Sequence, residues 1–377
     1  MPEINVQQTE SAKKKRGCGC SSCCLFIPYA NTTESEVEVE QVVCENISQD
    51  TFPHFVDDLP DPLEPGTIIK VTGFVRPDCS RFAVNLCCNR SPSSDIALHL
   101  NPRISQRYVV RNSRIKDHWG SEEVTSITKF ELSRNKKIHI DIVVADTEFL
   151  ISINGRHVCA FVYRIPIATV KAIVIEGPVD VSGVEYGKTN VYPVVNGPIE
   201  NIEEIVKEDV EYNGSSHNYE VPLTLSFPKG FDKGYQLDIQ GRVKILPANF
   251  FVNLQDGPQL WPHPNIYLHL SPRFGYLNTR HVFVRNSWLD GDWGPEERVD
   301  KCPFTPSSQF SIAIRSYVDH FSIWVNGQLA GEFKYRGDPR KTNTLYIQGD
   351  VIITGVVMRH NISDKYFTKS RPSIDSM

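Results

Sequence analysis

Tryptophan is scarce in this chain. Five occur in 377 residues, and Trp119 is the only one among the first 200. No apolar run approaches 18 residues, which excludes a membrane-spanning helix. A basic excess is missing as well: 40 Lys and Arg stand against 45 Asp and Glu, a net charge of −5, which argues against a general nucleic-acid binder. Cysteine is nearly absent from the second half, where Cys302 stands alone, so no disulfide framework holds the fold and a reducing compartment is expected. Helical periodicity is weak throughout.

The apolar fraction is 40% and the charged fraction 23%, enough to build cores and incompatible with a wholly disordered chain. The length corresponds to two domains with extra segments. At the N-terminus, the basic run Lys13–Arg16 is followed by Cys18, Cys20, Cys23 and Cys24 in place of an apolar segment, unlike a secretory signal. Zinc binding there lacks a second ligand pair at metal spacing. Lipid anchoring through these cysteines, aided by the basic run, is an alternative to a redox-exposed tail. The N-x-S/T sequons at Asn31, Asn46, Asn89, Asn213 and Asn361 read as chance matches.

Short alternating runs dominate. Ile69, Val71 and Val75 form one, Ile138, Ile140 and Ile142 another, and Phe149, Ile151 and Ile153 a third, with Gly, Pro and Asn between them. Many short strands with turn signals predict an all-β antiparallel sandwich or barrel.

An internal repeat settles the organisation. FAVNL at Phe82–Leu86 recurs as FFVNL at Phe250–Leu254, and IALHLNPR ending at Arg103 as IYLHLSPR ending at Arg273. VRNS recurs from Val110 and Val284, W-G-x-E from Trp119 and Trp293, and F-x-Y-R from Phe161 and Phe333. The order is constant and the offset stays near 170 residues, which is too long for a solenoid unit and fits a duplicated domain. The expected layout is a tail over 1–52, a first domain over 53–187, a linker over 188–217, a second domain over 218–361 and a tail over 362–377. As a free chain the linker spans roughly 30 Å and lets the domains move independently. Ile199, Ile202 and Val206 sit at helical spacing within it.

If IALHLNPR is a regular strand, Ile96, Leu98 and Leu100 face the core and Ala97, His99, Asn101 and Arg103 the opposite side. In the second copy Ile266, Leu268 and Leu270 face inward, with Tyr267, His269, Ser271 and Arg273 opposite. A half-buried antiparallel sheet has one polar face in any case, so such residues alone do not define a site. Here, however, the polar face keeps its identities between the copies while the apolar face drifts: Ile104 becomes Phe274 and Ile153 becomes Val325. Trp119 also lies among Asp117, His118, Gly120 and Ser121, a poor setting for a core residue. An aromatic platform beside polydentate hydrogen-bonding groups suits a pyranose, with its apolar C–H face and polar edge. Metal coordination does not fit a set that includes a guanidinium. A glycosidase needs two opposed carboxylates, and neighbours such as Glu122 and Glu123 should point apart.

H-x-N-P-R, then V-x-N, then W-G-x-E-x-R is the sugar-binding signature of galectins, and the chain resembles a tandem-repeat galectin over both copies. The resemblance implies two jelly-roll β-sandwich domains that bind β-galactosides with no metal, cofactor or catalysis. It assigns the galactose 4-hydroxyl to His99, Asn101 and Arg103, the 6-hydroxyl to Asn112 and Glu122, and ring stacking to Trp119. The matching set in the second copy is His269, Ser271, Arg273, Asn286, Trp293, Glu296 and Arg298. Both copies depart from the signature. Val124 stands where the signature has an arginine, which should loosen Glu122 and weaken preference for an extended disaccharide. Ser271 replaces the signature asparagine and cannot offer an amide's fork. At about 1 kcal/mol per neutral bond, each change costs up to about tenfold in affinity. The segment from Arg273 to Asn286 is also longer than that from Arg103 to Asn112.

The expectation is a bivalent lectin, with two sites of differing specificity, that cross-links galactose-containing glycoproteins, glycolipids or microbes. It agglutinates its targets, with a role in innate immunity. The resemblance further implies a cytoplasmic protein that reaches the outside without a signal peptide. The alternative is a protein-interaction module whose sugar sites have degenerated, with Val124 and Ser271 as its support.

Overall fold

A computed structural model of the chain describes residues 55–126, 132–194, 198–205, 218–227, 229–275, 281–299 and 301–360. The cysteines at 18, 20, 23 and 24 and part of the longer loop, residues 276–280, lie outside the described residues. Among the described residues no helix is long and apolar enough to cross a membrane.

The described chain forms two β-sandwich domains in tandem. In the first, a seven-stranded sheet contains Ala83–Cys87, Ile96–Arg103 and Tyr108–Ile115 as successive neighbours, with His118–Trp119 and Glu123–Ser126 both paired to the last. A five-stranded sheet, built around Thr67–Val75 and Lys136–Val144, packs against it. Alternation produces the core between them: Ile69, Ile140, Ile142, Val84 and Leu98 are fully buried in one cluster. In the second, Phe250–Gln255, Ile266–Arg273, Val282–Leu289, Asp292–Trp293 and Glu297–Val299 repeat the arrangement. Their core is a separate cluster richer in phenylalanine, including Phe231, Phe250, Phe321 and Phe333.

Two expectations are corrected. The strand carrying His99 does not alternate regularly. The register shifts between Ile96 and His99, a bulge that moves every residue before it to the other face. Ala97 therefore joins the main core with Leu98 and Leu100, and Ile96 packs in a small outer cluster with Cys87 and Ala172. The same shift separates Ile266 from His269, leaving Leu268 and Leu270 in the second core.

The second correction concerns the residues between the domains. Glu203–Ile205 forms a strand, paired in parallel with Val351–Arg359, within the Ile199, Ile202 and Val206 stretch whose spacing only weakly supports a short helix, and Val206 lies outside the described residues. Ile202 is buried in the second core, and burial of that side chain outweighs a weak local periodicity. Nor is the segment a free span across its described length. Tyr192 is 5% exposed and exchanges backbone hydrogen bonds with Trp261, N–H to carbonyl at 2.7 Å and the reverse at 2.9 Å. The Trp261 indole N–H donates to Asp146 at 3.2 Å, and Arg156 pairs with Glu220.

Candidate functional site

In the first domain the antiparallel register sets His99 opposite Asn112, so both side chains emerge on one face, the face opposite the core. Beyond Ile115 the chain reverses through Lys116 and Asp117, both with positive φ, which returns His118–Trp119 alongside Arg114. Paired positive φ values match the twist of a two-residue hairpin, and Asp290–Gly291 performs the same reversal in the second domain.

These turns bring the aromatic platform to the histidine. Trp119 is 50% exposed, and its ring centroid lies 4.8 Å from that of His99 in an edge-on arrangement. Trp293 is 45% exposed and lies 4.9 Å from His269. The supports behind them differ. The Arg114 guanidinium lies over the Trp119 ring at 5.8 Å, and at the equivalent position Trp288 packs edge-on to Trp293 at 5.5 Å.

The histidine is held in one state. Asn85 Nδ2 donates to Glu176 at 3.1 Å, which turns Asn85 Oδ1 toward His99 Nδ1, 2.6 Å away. The imidazole therefore donates from Nδ1, and the Nε2 lone pair faces outward. Burial and then the Arg103 cation push its pKa down to about 4, so it is neutral at physiological pH. Asn253 anchors His269 in the same way at 2.7 Å, and burial pushes that imidazole down to about 3. Asn85 and Asn253 were not among the expected site residues. Their signal was the shared asparagine of FAVNL and FFVNL.

Asn101 is buried. Its Nδ2 donates to the Phe82 carbonyl at 2.6 Å, and its Oδ1 accepts from Arg103 Nε at 3.2 Å, so it positions the guanidinium. Arg103 also reaches the Tyr108 hydroxyl and, at 3.6 Å, Glu122. In the second domain Ser271 is too short to repeat that bridge, and Arg273 donates to Glu296 at 2.6 Å. Arg298 Nε donates to the other oxygen of Glu296 at 2.7 Å. Burial pushes the Glu296 carboxyl up, but the two guanidiniums together outweigh it and hold its pKa below the ordinary value.

A second arginine braces each site from behind, and it too was visible only as a repeat. Arg164 donates to Asn112 Oδ1 at 3.2 Å, to the Ser121 carbonyl at 2.9 Å and to Glu123 at 2.7 Å, with its guanidinium 4.7 Å above the Phe161 ring. Arg336 does the same to Asn286 at 2.8 Å and Glu297 at 3.0 Å, over Phe333. Asn112 Nδ2 donates to the Gly120 carbonyl at 2.9 Å, tying the platform loop down. A Cβ on Gly120 would come within 2.8 Å of Arg164 Nη1, and one on Gly294 closer still to Arg336, so the glycine after each tryptophan makes room for this brace.

All six expected residues of the first domain thus converge, as do His269, Arg273, Asn286, Trp293, Glu296 and Arg298 in the second. Ser271 occupies the matching strand position, 6% exposed. Each cluster offers one neutral acceptor, fixed guanidinium donors, a carboxylate and an aromatic face, with no nucleophile poised against a base.

The galactoside-binding lectin family profile matches residues 54–186 and 222–358, and the chain belongs to that family. It is 30% identical over 307 residues to galectin-8 of Rattus norvegicus, across 80% of this chain and 94% of that protein. A 32 kDa beta-galactoside-binding lectin of Haemonchus contortus is 28% identical, across 79% and 92%. Galectin-4 of Homo sapiens is 27% identical, across 81% and 95%.

Proposed function

We infer that the chain is a bivalent β-galactoside-binding lectin, with one site per domain, that cross-links galactose-bearing glycoconjugates. The observation that carries this is the neutral histidine beside a fixed arginine. A hydroxyl on the sugar donates to His99 Nε2 and accepts from Arg103, and both needs are met only by an axial 4-hydroxyl lying over the strand. An equatorial 4-hydroxyl leaves both groups unpaired. The exposed C–H face of the same sugar covers Trp119. Asn112 and Glu122 serve the 6-hydroxyl, and His269, Arg273, Asn286, Trp293 and Glu296 repeat the scheme.

We read the two sites as different in specificity. Glu296 is clamped by two guanidiniums and favours a second sugar ring beside it, whereas Glu122 meets Arg103 at 3.6 Å, with Val124 at the sequence position of the second guanidinium, and is suited to galactose itself. In the second domain the loss of the Asn101 bridge weakens the hold on the 4-hydroxyl.

Each shallow polar site has an expected Kd of about 10⁻³ to 10⁻⁵ M, and two on one chain raise avidity on a multivalent surface by about 10² or more. Retention of the full chain on lactose resin, with elution by free lactose, is the test. Passage straight through the resin contradicts the reading.

A further inference from the structure

The two sugar platforms are held from behind in different ways. In the first domain the support is local. Arg114, whose guanidinium lies over Trp119, donates from Nη2 to the Ser94 carbonyl at 2.8 Å and to that of Pro92, which ties the platform to a loop of its own domain. In the second domain Trp288 takes the place of Arg114, and the matching loop is two residues longer, 255–265 against 87–95. His263 of that loop lies on Trp288, with ring centroids 4.4 Å apart. Trp288 meets Trp293 at 5.5 Å, and Trp293 meets His269 at 4.9 Å. Four rings thus run from the loop to the sugar site.

The outer part of the same loop is held by the first domain. Trp261 packs against a cluster containing Val143, Leu150 and Tyr192. Its ring comes so close to Gly66 that a Cβ there would lie 3.1 Å away. Its indole N–H donates to Asp146 at 3.2 Å. The main chain adds to the grip: Tyr192 and Trp261 exchange two backbone bonds, and the Leu260 N–H donates to the Tyr192 carbonyl at 2.7 Å. Tyr192 is itself fastened to the first domain, its hydroxyl 2.8 Å from His157 Nδ1.

This grip reaches the ring that supports the platform. Only Pro262 separates Trp261 from His263. Desolvation lowers the His263 pKa and the Asp146 carboxylate opposes that, so a charge of the first domain is felt at the imidazole lying on Trp288. With Trp261 released, the loop gains freedom, and the cost of seating His263 on Trp288 falls on sugar binding.

We propose that the first domain positions the second sugar site: by gripping Trp261 it seats His263 on Trp288 and so steadies the Trp293 platform, a support that the first site takes from its own loop instead. Trp261, His263 and Trp288 are positioning residues that act through Trp293. This rests on the lectin reading given above. Such coupling is reciprocal, so a sugar in the second site tightens the contact between the domains by the factor by which that contact strengthens the site.

The test uses the full chain carrying Trp119→Ala, which silences the first site and leaves lactose to report on the second. Asp146→Ala and Tyr192→Ala, both outside the second domain, should weaken lactose binding there by about threefold to tenfold. Asp146→Asn, which keeps an acceptor for the Trp261 indole, should retain the affinity. In the full chain carrying Trp293→Ala, where the first site alone reports, the same changes should leave lactose affinity unchanged. Hydrogen exchange reads the reciprocal effect with the contact intact: lactose should slow exchange of the Tyr192 and Trp261 amides in the Trp119→Ala chain by a similar factor, and should leave it unchanged once Trp293→Ala is added. The proposal is overturned if neither Asp146→Ala nor Tyr192→Ala weakens the second site, if both weaken the first site equally, or if lactose leaves the two amides unchanged in the Trp119→Ala chain. Absence of lactose binding in that chain overturns the lectin reading of the second site, and the proposal with it. That outcome is distinguishable from lactose binding that ignores the domain contact.

Discussion

Glu296 accepts from Arg298 Nε at 2.7 Å while its other oxygen accepts from Arg273 at 2.6 Å. At the matching place in the first domain Val124 stands, 47% exposed, and Glu122 meets Arg103 at 3.6 Å. Charge-assisted bonds of this kind contribute more than neutral ones, and two of them fix a carboxylate that one distant partner leaves mobile. Val124→Arg should therefore raise the first site's preference for lactose over free galactose by about threefold to tenfold, and Arg298→Val should lower that of the second by a similar factor. Calorimetric titration of both sugars checks this.

The anchors beneath the histidines give a second prediction. Asn85→Ala removes the acceptor that fixes His99 Nδ1–H, freeing the imidazole to turn its donor toward the sugar. Affinity of the first site should fall by about tenfold, with the second unchanged. Asn253→Ala should do the converse. A shift in the His99 ring nitrogen resonances, followed by NMR, separates a tautomer change from general loss of structure.

The pH dependence follows from the same groups. Well above pH 6.5 both imidazoles are neutral in folded and unfolded chain alike. Their folded pKa values, about 4 for His99 and about 3 for His269, lie below the ordinary 6.5. As pH falls below 6.5 the unfolded chain takes up protons that the folded chain refuses, so folding stability declines toward pH 4. Lactose affinity is expected to be level from pH 8 to 5.5 and then to fall near 4, at the first site before the second. Titrations paired with circular dichroism at each pH distinguish loss of the acceptor from unfolding.

Gly120→Ala tests the brace. The added methyl group would sit 2.8 Å from Arg164 Nη1 and 3.2 Å from Asn112 Oδ1, and the guanidinium must yield. A cost of about 1–2 kcal/mol is expected, seen as a melting midpoint lowered by about 4 °C and a first-site affinity weakened by about tenfold. Ser121→Ala, which keeps the backbone carbonyl that Arg164 uses, should do neither.

The polar set from His99 to Glu122 was legible because the chain carries two copies of it. Five of its six residues, all but Asn101, recur in the second copy while positions such as Ile104 and Ile153 change, and that contrast needs no structure. The bulge before His99 was not legible, because strict alternation fits Ile96, Leu98 and Leu100 equally well and only the neighbouring strand reveals the extra residue. Asn85 and Arg164 stood inside repeated motifs, but their roles depend on contacts between distant segments, at separations of 14 and 52 residues. Tyr192 and Trp261, which join the domains, have no counterpart in the repeat. Their pairing left no trace in a comparison of one copy with the other. Ile202 carried a period compatible with a helix, and burial against the second core made it part of an extended segment instead.

The central claim is that each domain binds one β-galactoside through its own histidine–tryptophan site. Titration of lactose into the full chain, into Trp119→Ala, into Trp293→Ala and into the double variant tests it most directly. The account predicts stoichiometries of about two, one, one and zero, with all four proteins folded. Lactose binding that persists in the double variant, or is missing from the unmodified chain, contradicts it.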